Sequence, residues 1–181
     1  MRLFVRTNLW SRVMAALLVT MVSLTMARSL SAQSMLLPMD VRLASEGARF
    51  GFVFTRRGIV PEACSSWFLP RLVGMAKAKE MILLNPVYTA EEARGHGLVT
   101  EVVADDALMT RARALATQLA SGPTAAYGEC KRLLVDSLSN SLETQMELET
   151  RAIAGLACYS KDAKEGFRAF GEKRKPSFEG K

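Results

Sequence analysis

The residue types most able to do chemistry lie in one run, Ala48 to Gly74. A strand-like segment, Arg49–Phe54, leads through a loop to Pro61-Glu62, and an apolar helix follows. Glu62 therefore stands at the mouth of a hydrophobic element. A carboxyl buried in an apolar cleft can shuttle a proton, because desolvation raises its pKa toward neutrality. The plainer reading is a carboxylate favourable to the helix macrodipole. Phe54, Trp67 and Phe68 surround it as core residues or as the lining of an apolar pocket. Cys64 reads as a small buried filler and not as a nucleophile. Arg56-Arg57 reads as a solvated pair, or else as a phosphate or subunit contact.

Other catalytic constellations are poorly supplied. His96 is the single histidine, in Arg94-Gly-His-Gly97 just past a helix, where a solvated neighbour of the C-cap is expected. A Ser-His-Asp or Cys-His arrangement would have to use it. The cysteines, Cys64, Cys130 and Cys158, are odd in number and widely spaced, with no CxxC. That argues against a zinc site and against a disulfide framework, so no metal is expected.

The elements that must position these groups come from a chain of 181 residues, with 49% hydrophobic and 23% charged residues. These are globular values. The net charge is +6, but Arg2, Arg6, Arg12 and Arg28, with no acid before Asp40, supply +4 of it. No basic stripe interleaved with aromatics remains, so nucleic-acid binding is not expected.

Residues 1–34 have a composition of their own. A basic start precedes an apolar run, Val13–Met26, and small residues follow near Ala32. This has the shape of a secretory signal, and the run is too short for a secure membrane span. The other reading is an out-of-frame or non-homologous segment, since no glycine occurs before Gly47.

From there the pattern is mixed, then helical. Asp40–Ala44 alternates as a strand, Ser45–Gly47 turns the chain, and Arg49–Phe54 pairs as a second strand. Ala63–Val73 is helical with an interruption at Pro70, and Ala76–Leu84 is amphipathic. Thr89-Ala-Glu-Glu92 is a capping box that opens a short helix. Leu98–Val103 is a strand. Asp105 or Asp106 caps a helix to Ala120 with Leu108, Ala112, Leu115 and Leu119 on one face. Helices are then expected from Pro123 to about Leu138, over Ser141–Tyr159, and over Lys161–Lys175, the last stopped by Pro176. The expected organisation is an atypical segment 1–34, a core 35–120 and a helical region 121–181.

Several segments in order resemble the enoyl-CoA hydratase/isomerase (crotonase) family. Leu37-Pro-Met-Asp-Val-Arg-Leu-Ala44 and Ala48-Arg-Phe-Gly51 look like the end of the family's core sheet. Leu69-Pro-Arg-Leu-Val-Gly74 looks like its helix and turn, and Thr89-Ala-Glu-Glu-Ala93 with Gly97-Leu-Val99 like the next helix–strand step. Asp162, Glu165-Gly166, Ala169-Phe170 and Glu172-Lys-Arg174 look like its final helix. The match runs from about Met35 onward and corresponds to the second half of a family domain.

The resemblance implies an α/β fold: a partial crotonase-type β-β-α spiral followed by a C-terminal helical trimerisation region. It implies an acyl-CoA thioester as substrate, no separate cofactor, and a homo-oligomer, a trimer or hexamer. Two backbone N–H groups would hold the thioester oxygen and stabilise an enolate, one of them near Ser31–Ala32. Family hydratases use two glutamates, whose positions fall here at Ser34 and Phe54. Glu62 matches the carboxylate of a branch that moves a double bond from C3 to C2, which needs one base. Phe170 and Lys173 match a region that touches CoA, and Phe54, Trp67 and Phe68 would line the acyl pocket. The favoured reading is Δ3-to-Δ2 enoyl-CoA isomerisation. Its alternatives are 2-enoyl-CoA hydration, an inactive family member that only associates with other subunits, and an exported helical protein. The expected location is cytoplasmic, or exported if residues 1–32 are a signal.

Overall fold

A computed structural model describes residues 33–181. The chain divides into two compact units, and of the described residues 33–115 belong to one and 116–181 to the other. The division falls within a helix, Leu108–Ala120.

The first unit contains four short strands and the helices that cover them. A 3-10 turn, Gln33–Leu36, leads to β1 (Leu43–Ser45) and β2 (Arg49–Phe50). A second 3-10 turn, Thr55–Arg57, precedes α1 (Ser65–Val73) and α2 (Met75–Leu84). Then come β3 (Tyr88–Thr89), α3 (Ala90–Gly95), β4 (Glu101–Val103) and α4 (Leu108–Ala120).

Strand pairing departs from the local expectation. β1 runs parallel to β4, with Leu43 opposite Glu101 and Ser45 opposite Val103. β2 runs antiparallel to β3, with Phe50 opposite Tyr88. The two neighbouring strands thus enter different sheets. Arg49–Phe54 is a strand only over Arg49–Phe50, because its tail turns into the 3-10 turn that begins at Thr55. Asp105 is also redirected. Its carboxylate accepts the Gly47 N–H at 3.2 Å, tying the β1–β2 turn to the start of α4.

The capping box at Thr89 forms as the sequence predicts. The Thr89 hydroxyl accepts the Glu92 N–H, and the Glu92 carboxylate accepts the Thr89 N–H at 2.7 Å. The Thr89 N–H, and with it the Thr89 hydroxyl, which also donates to this carboxylate at 2.8 Å, hold the Glu92 carboxyl below the usual carboxylate range. α3 is short and buries Ala90 and Ala93, whose small side chains let it sit close to the core. Past the His96 C-cap the chain turns at Gly97, with φ +81°. A Cβ there would meet the Leu72 carbonyl at 3.2 Å, so both the turn and the packing require glycine. Arg42 fastens this corner by donating to the carbonyls of Leu98 at 2.7 Å and Met39 at 2.6 Å.

The core of this unit is one cluster built on Leu37, Phe50, Phe52, Leu69 and Met81. A smaller one joins Leu43 of β1 to Leu108 and Ala112 of α4. The four-residue spacing of Leu108 and Ala112 is the apolar stripe read from the sequence.

The second unit is helical. It holds α5 (Thr124–Asp136), α6 (Leu142–Tyr159) and α7 (Lys161–Gly171). Ser141 and Ser160 cap the last two by accepting N–H groups of Thr144 and Ala163. Gln145 joins α6 to α5 through the Leu133 carbonyl at 3.1 Å. The apolar residues of α6 stay outside: Leu142, Met146 and Ile153 are exposed, at 72%, 59% and 68%. No residue of α5 or α6 is buried in this chain.

α7 ends at Gly171, earlier than Lys175, in a reversal centred on Lys173. The Arg174 N–H bonds to Ala169 and the Lys173 N–H to Phe170, which closes the helix end. Glu165 then gathers Arg168, Arg174 and the Ser177 N–H, and Asp162 accepts the N–H groups of Glu179 and Gly180. The final residues therefore fold back on α7 and do not prolong it.

Candidate active site

The segment carrying Glu62 is fixed at both ends. At the near end, the Thr55 hydroxyl donates to the Ile82 carbonyl at 2.8 Å and accepts from the Asn85 amide at 2.6 Å. Arg56 donates to the Asn85 carbonyl at 2.6 Å, so it is anchored and not simply solvated. These bonds satisfy carbonyls left open at the end of α2. Asn85 is buried and left-handed, at φ +51°. Gly58, also left-handed, then releases the chain to the surface.

At the far end, Ala63 and Cys64 both take left-handed conformations, with φ +49° and +56°. Side chains with a Cβ rarely adopt this, and two in succession require support. Ser65, the first residue of α1, gives it. Its N–H and hydroxyl both donate to the Glu62 carbonyl, at 2.9 and 2.6 Å. Neither Ser65 nor Asn85 was marked by the sequence. The serines following Cys64 and the Asn85-Pro86 pair were the available signals.

Glu62 itself is exposed, against the expectation of an apolar cleft. The loop passes over the surface, and its apolar residues Ile59 and Val60 are exposed too, at 51% and 79%. Among the described residues no hydrogen bond or ion pair reaches the Glu62 carboxylate. It is thus available to a ligand but not desolvated by its own chain. Cys64 is likewise exposed and not the buried filler expected, since it sits on the same loop.

The aromatic residues separate. Phe54 and Phe68 pack against the main core, whereas Trp67 is partly exposed beside them. The Trp67 and Phe68 rings meet edge to face at 4.7 Å. The Arg71 guanidinium lies 3.8 Å above the Trp67 ring and donates to the Trp67 carbonyl, which stiffens that side chain. An apolar surface of Ile59, Val60 and Trp67 therefore flanks Glu62 in the chain.

Phe170 and Lys173 belong to the second unit, on and just after α7. Phe170 is 87% exposed, and Lys173 is exposed as well. Phe170 is not a core residue of that unit. Ser34 and Phe54, expected from the resemblance to fall at the two hydratase glutamate positions, are buried and half-buried respectively. Ser31–Ala32, the expected N–H donor region, lies outside the described residues. His96, the C-cap of α3, packs its ring edge to face against Tyr88. Among the described residues no three metal-ligating side chains cluster, and no helix is long and apolar enough to cross a membrane.

Comparison with known proteins shows the family and the fold. The family model for enoyl-CoA hydratase/isomerase matches residues 7–181, a match that begins inside the segment 1–34 set apart above. The probable enoyl-CoA hydratase of Rhodobacter capsulatus is 44% identical over 142 residues, covering 78% of this chain and 55% of that protein. The 1,2-epoxyphenylacetyl-CoA isomerase of Escherichia coli is 38% identical over 142 residues, covering 78% of this chain and 54% of its own length. The chain thus spans about half the length of the curated relatives it matches. Among solved structures, an enoyl-CoA hydratase/isomerase from Cupriavidus metallidurans aligns with a TM-score of 0.80 and 30% identity, over 94% of this chain and 66% of that one. An enoyl-CoA hydratase subunit from Geobacillus kaustophilus aligns with a TM-score of 0.79 and 34% identity, over 84% and 59%. The fold is therefore the crotonase-type α/β fold, and the chain belongs to the enoyl-CoA hydratase/isomerase family.

Proposed function

We propose that the chain carries the proton-transfer half of a Δ3-to-Δ2 enoyl-CoA isomerase, with Glu62 as its base. The observation that carries this reading is the contrast among three positions. Glu62 is held by its backbone with its carboxylate unpaired, while Ser34 and Phe54, at the two hydratase glutamate positions, offer no acid. Hydration needs water activated and a proton delivered to carbon. Isomerisation needs one carboxylate, which takes a proton from C2 and returns it to C4.

The exposed setting of Glu62 suits a substrate-completed site. An acyl chain laid on Ile59, Val60 and Trp67 would exclude water from the carboxylate. That strengthens its interaction with the C2 proton at the moment of transfer. Enzymes of this family work on CoA thioesters and generally need no cofactor beyond the CoA of the substrate. Phe170 and Lys173 are assigned to the CoA moiety, Lys173 through its charge. The exposed apolar residues of α5 to α7, among them Leu134, Leu142, Met146 and Ile153, support a homo-oligomer, a trimer or hexamer. The proposed location is cytoplasmic.

A second reading, 2-enoyl-CoA hydration, is favoured by the hydratase names of several relatives. Offering the chain a 3-enoyl-CoA and a 2-enoyl-CoA separately distinguishes the two. Isomerisation of the first with no hydration of the second is expected. Hydration of the second, with the first untouched, would overturn the proposal.

A further inference from the structure

Ser65 is fully buried, yet its hydroxyl makes no use of the core: it turns back to the Glu62 carbonyl at 2.6 Å. Its own N–H reaches the same oxygen at 2.9 Å. Between them stand Ala63 and Cys64, both left-handed without being glycine. The Cys64 carbonyl in turn accepts N–H groups of Trp67 and Phe68, which start α1. The loop around Glu62 is thus a closed turn whose unfavourable backbone is held from inside by the Ser65 hydroxyl together with the Ser65 N–H.

We propose that Ser65 is a positioning residue that fixes the direction of Glu62, an inference that rests on Glu62 being the base. The backbone torsions at Ala63 and Cys64 decide where the Glu62 Cα–Cβ bond points. Neither residue favours those torsions by itself. An exposed loop without the Ser65 hydroxyl would relax toward ordinary right-handed or extended conformations. Glu62 would then swing away from one fixed aim, while the core beneath, built on Leu69 and Met81, kept its packing. Strain kept in place beside a reacting group in this way preorganises it.

The test uses the full chain with Ser65→Ala, and with Ser65→Cys as a second variant that retains volume but donates weakly. Urea unfolding establishes that each is folded; should Ser65→Ala not fold, Ser65→Cys carries the test. Backbone 15N relaxation of the Glu62 and Ala63 amides gives the direct reading. Order parameters near about 0.85 are expected in the unmodified chain, falling below about 0.6 in the variants. Amides that stay rigid in the folded variants would overturn the proposal.

Turnover of a 3-enoyl-CoA gives the second reading. A fall in kcat of about 10- to 100-fold, with KM held, is expected when a base loses its aim. A loosened loop with unchanged kcat would also overturn the role of Ser65. The two claims fail separately. Full activity of Glu62→Gln removes the base and leaves the loop measurement standing. Loss of activity in Glu62→Gln, with rigid amides in Ser65→Ala, removes only Ser65.

Discussion

Replacing Lys173 by glycine should stabilise the helical unit and at the same time weaken CoA binding. Lys173 sits at φ +53°, in the position after α7 where helices commonly end in glycine. The closing bonds are already made, Arg174 N–H to Ala169 at 3.0 Å and Lys173 N–H to Phe170 at 3.2 Å. Glycine changes the backbone term alone. A side chain with a Cβ costs roughly 1–2 kcal/mol in this region. Glycine gives back roughly 0.5–1 kcal/mol through the greater freedom of its unfolded chain. The net gain is about 0.5–1 kcal/mol, which at a urea slope of about 2 kcal/mol per molar moves the midpoint up by roughly 0.25–0.5 M. Circular dichroism during urea titration reads it. Lys173→Ala is the control, since it removes the charge and keeps the left-handed penalty. A midpoint that does not rise in Lys173→Gly, or rises equally in Lys173→Ala, would refute the backbone argument. Under the proposed function both variants bind CoA more weakly, so only the glycine variant separates stability from affinity.

Leu69→Ala should destabilise the first unit by about 2–5 kcal/mol, since Leu69 is 1% exposed at the centre of its core; urea unfolding checks it. Thr89→Ala removes the capping hydroxyl of α3 and should cost about 1 kcal/mol, with Ser in the same position restoring most of it. Glu165 tests the tail by pH. Its carboxylate is held well below its ordinary range, first by Arg174, then by Arg168 and the Ser177 N–H. A lowered carboxylate stabilises the folded state fully above its unfolded pKa of about 4.3, and loses that contribution as pH falls toward the folded value. Protection of the Ser177 amide should therefore persist through about pH 4 and fade only in stronger acid. In Glu165→Gln it should be weak at every pH.

Local chemistry was legible where a few neighbouring residues decide the outcome. The Thr89–Glu92 box and the Leu108–Ala112 stripe are such cases. Pairing was not, because β1 meets β4 across more than fifty intervening residues, and nothing near Leu43 specifies Glu101 as its partner. The end of α7 was misplaced for a related reason. Glu165 draws Arg174 and Ser177 back, and that ion-pair geometry stops the helix before Pro176 can. At the candidate site, the identity of Glu62 could be read from its run, but its exposure could not. Burial of a loop carboxylate depends on what lies over it, and residues 58–64 run across the surface. Ser65 was hidden for the opposite reason. A serine at a helix start reads as a cap for the N–H groups ahead of it, whereas here its hydroxyl reaches back to a carbonyl.

The central claim is that one carboxylate, Glu62, moves the proton. The direct measurement is the rate of 3-enoyl-CoA isomerisation by the unmodified chain and by Glu62→Gln, which keeps the size of the side chain and removes its basicity. General-base catalysis of this kind contributes about 100- to 10,000-fold, so a loss of at least about 100-fold in kcat is predicted. A Glu62→Gln variant that isomerises within about twofold of the unmodified chain would contradict the account.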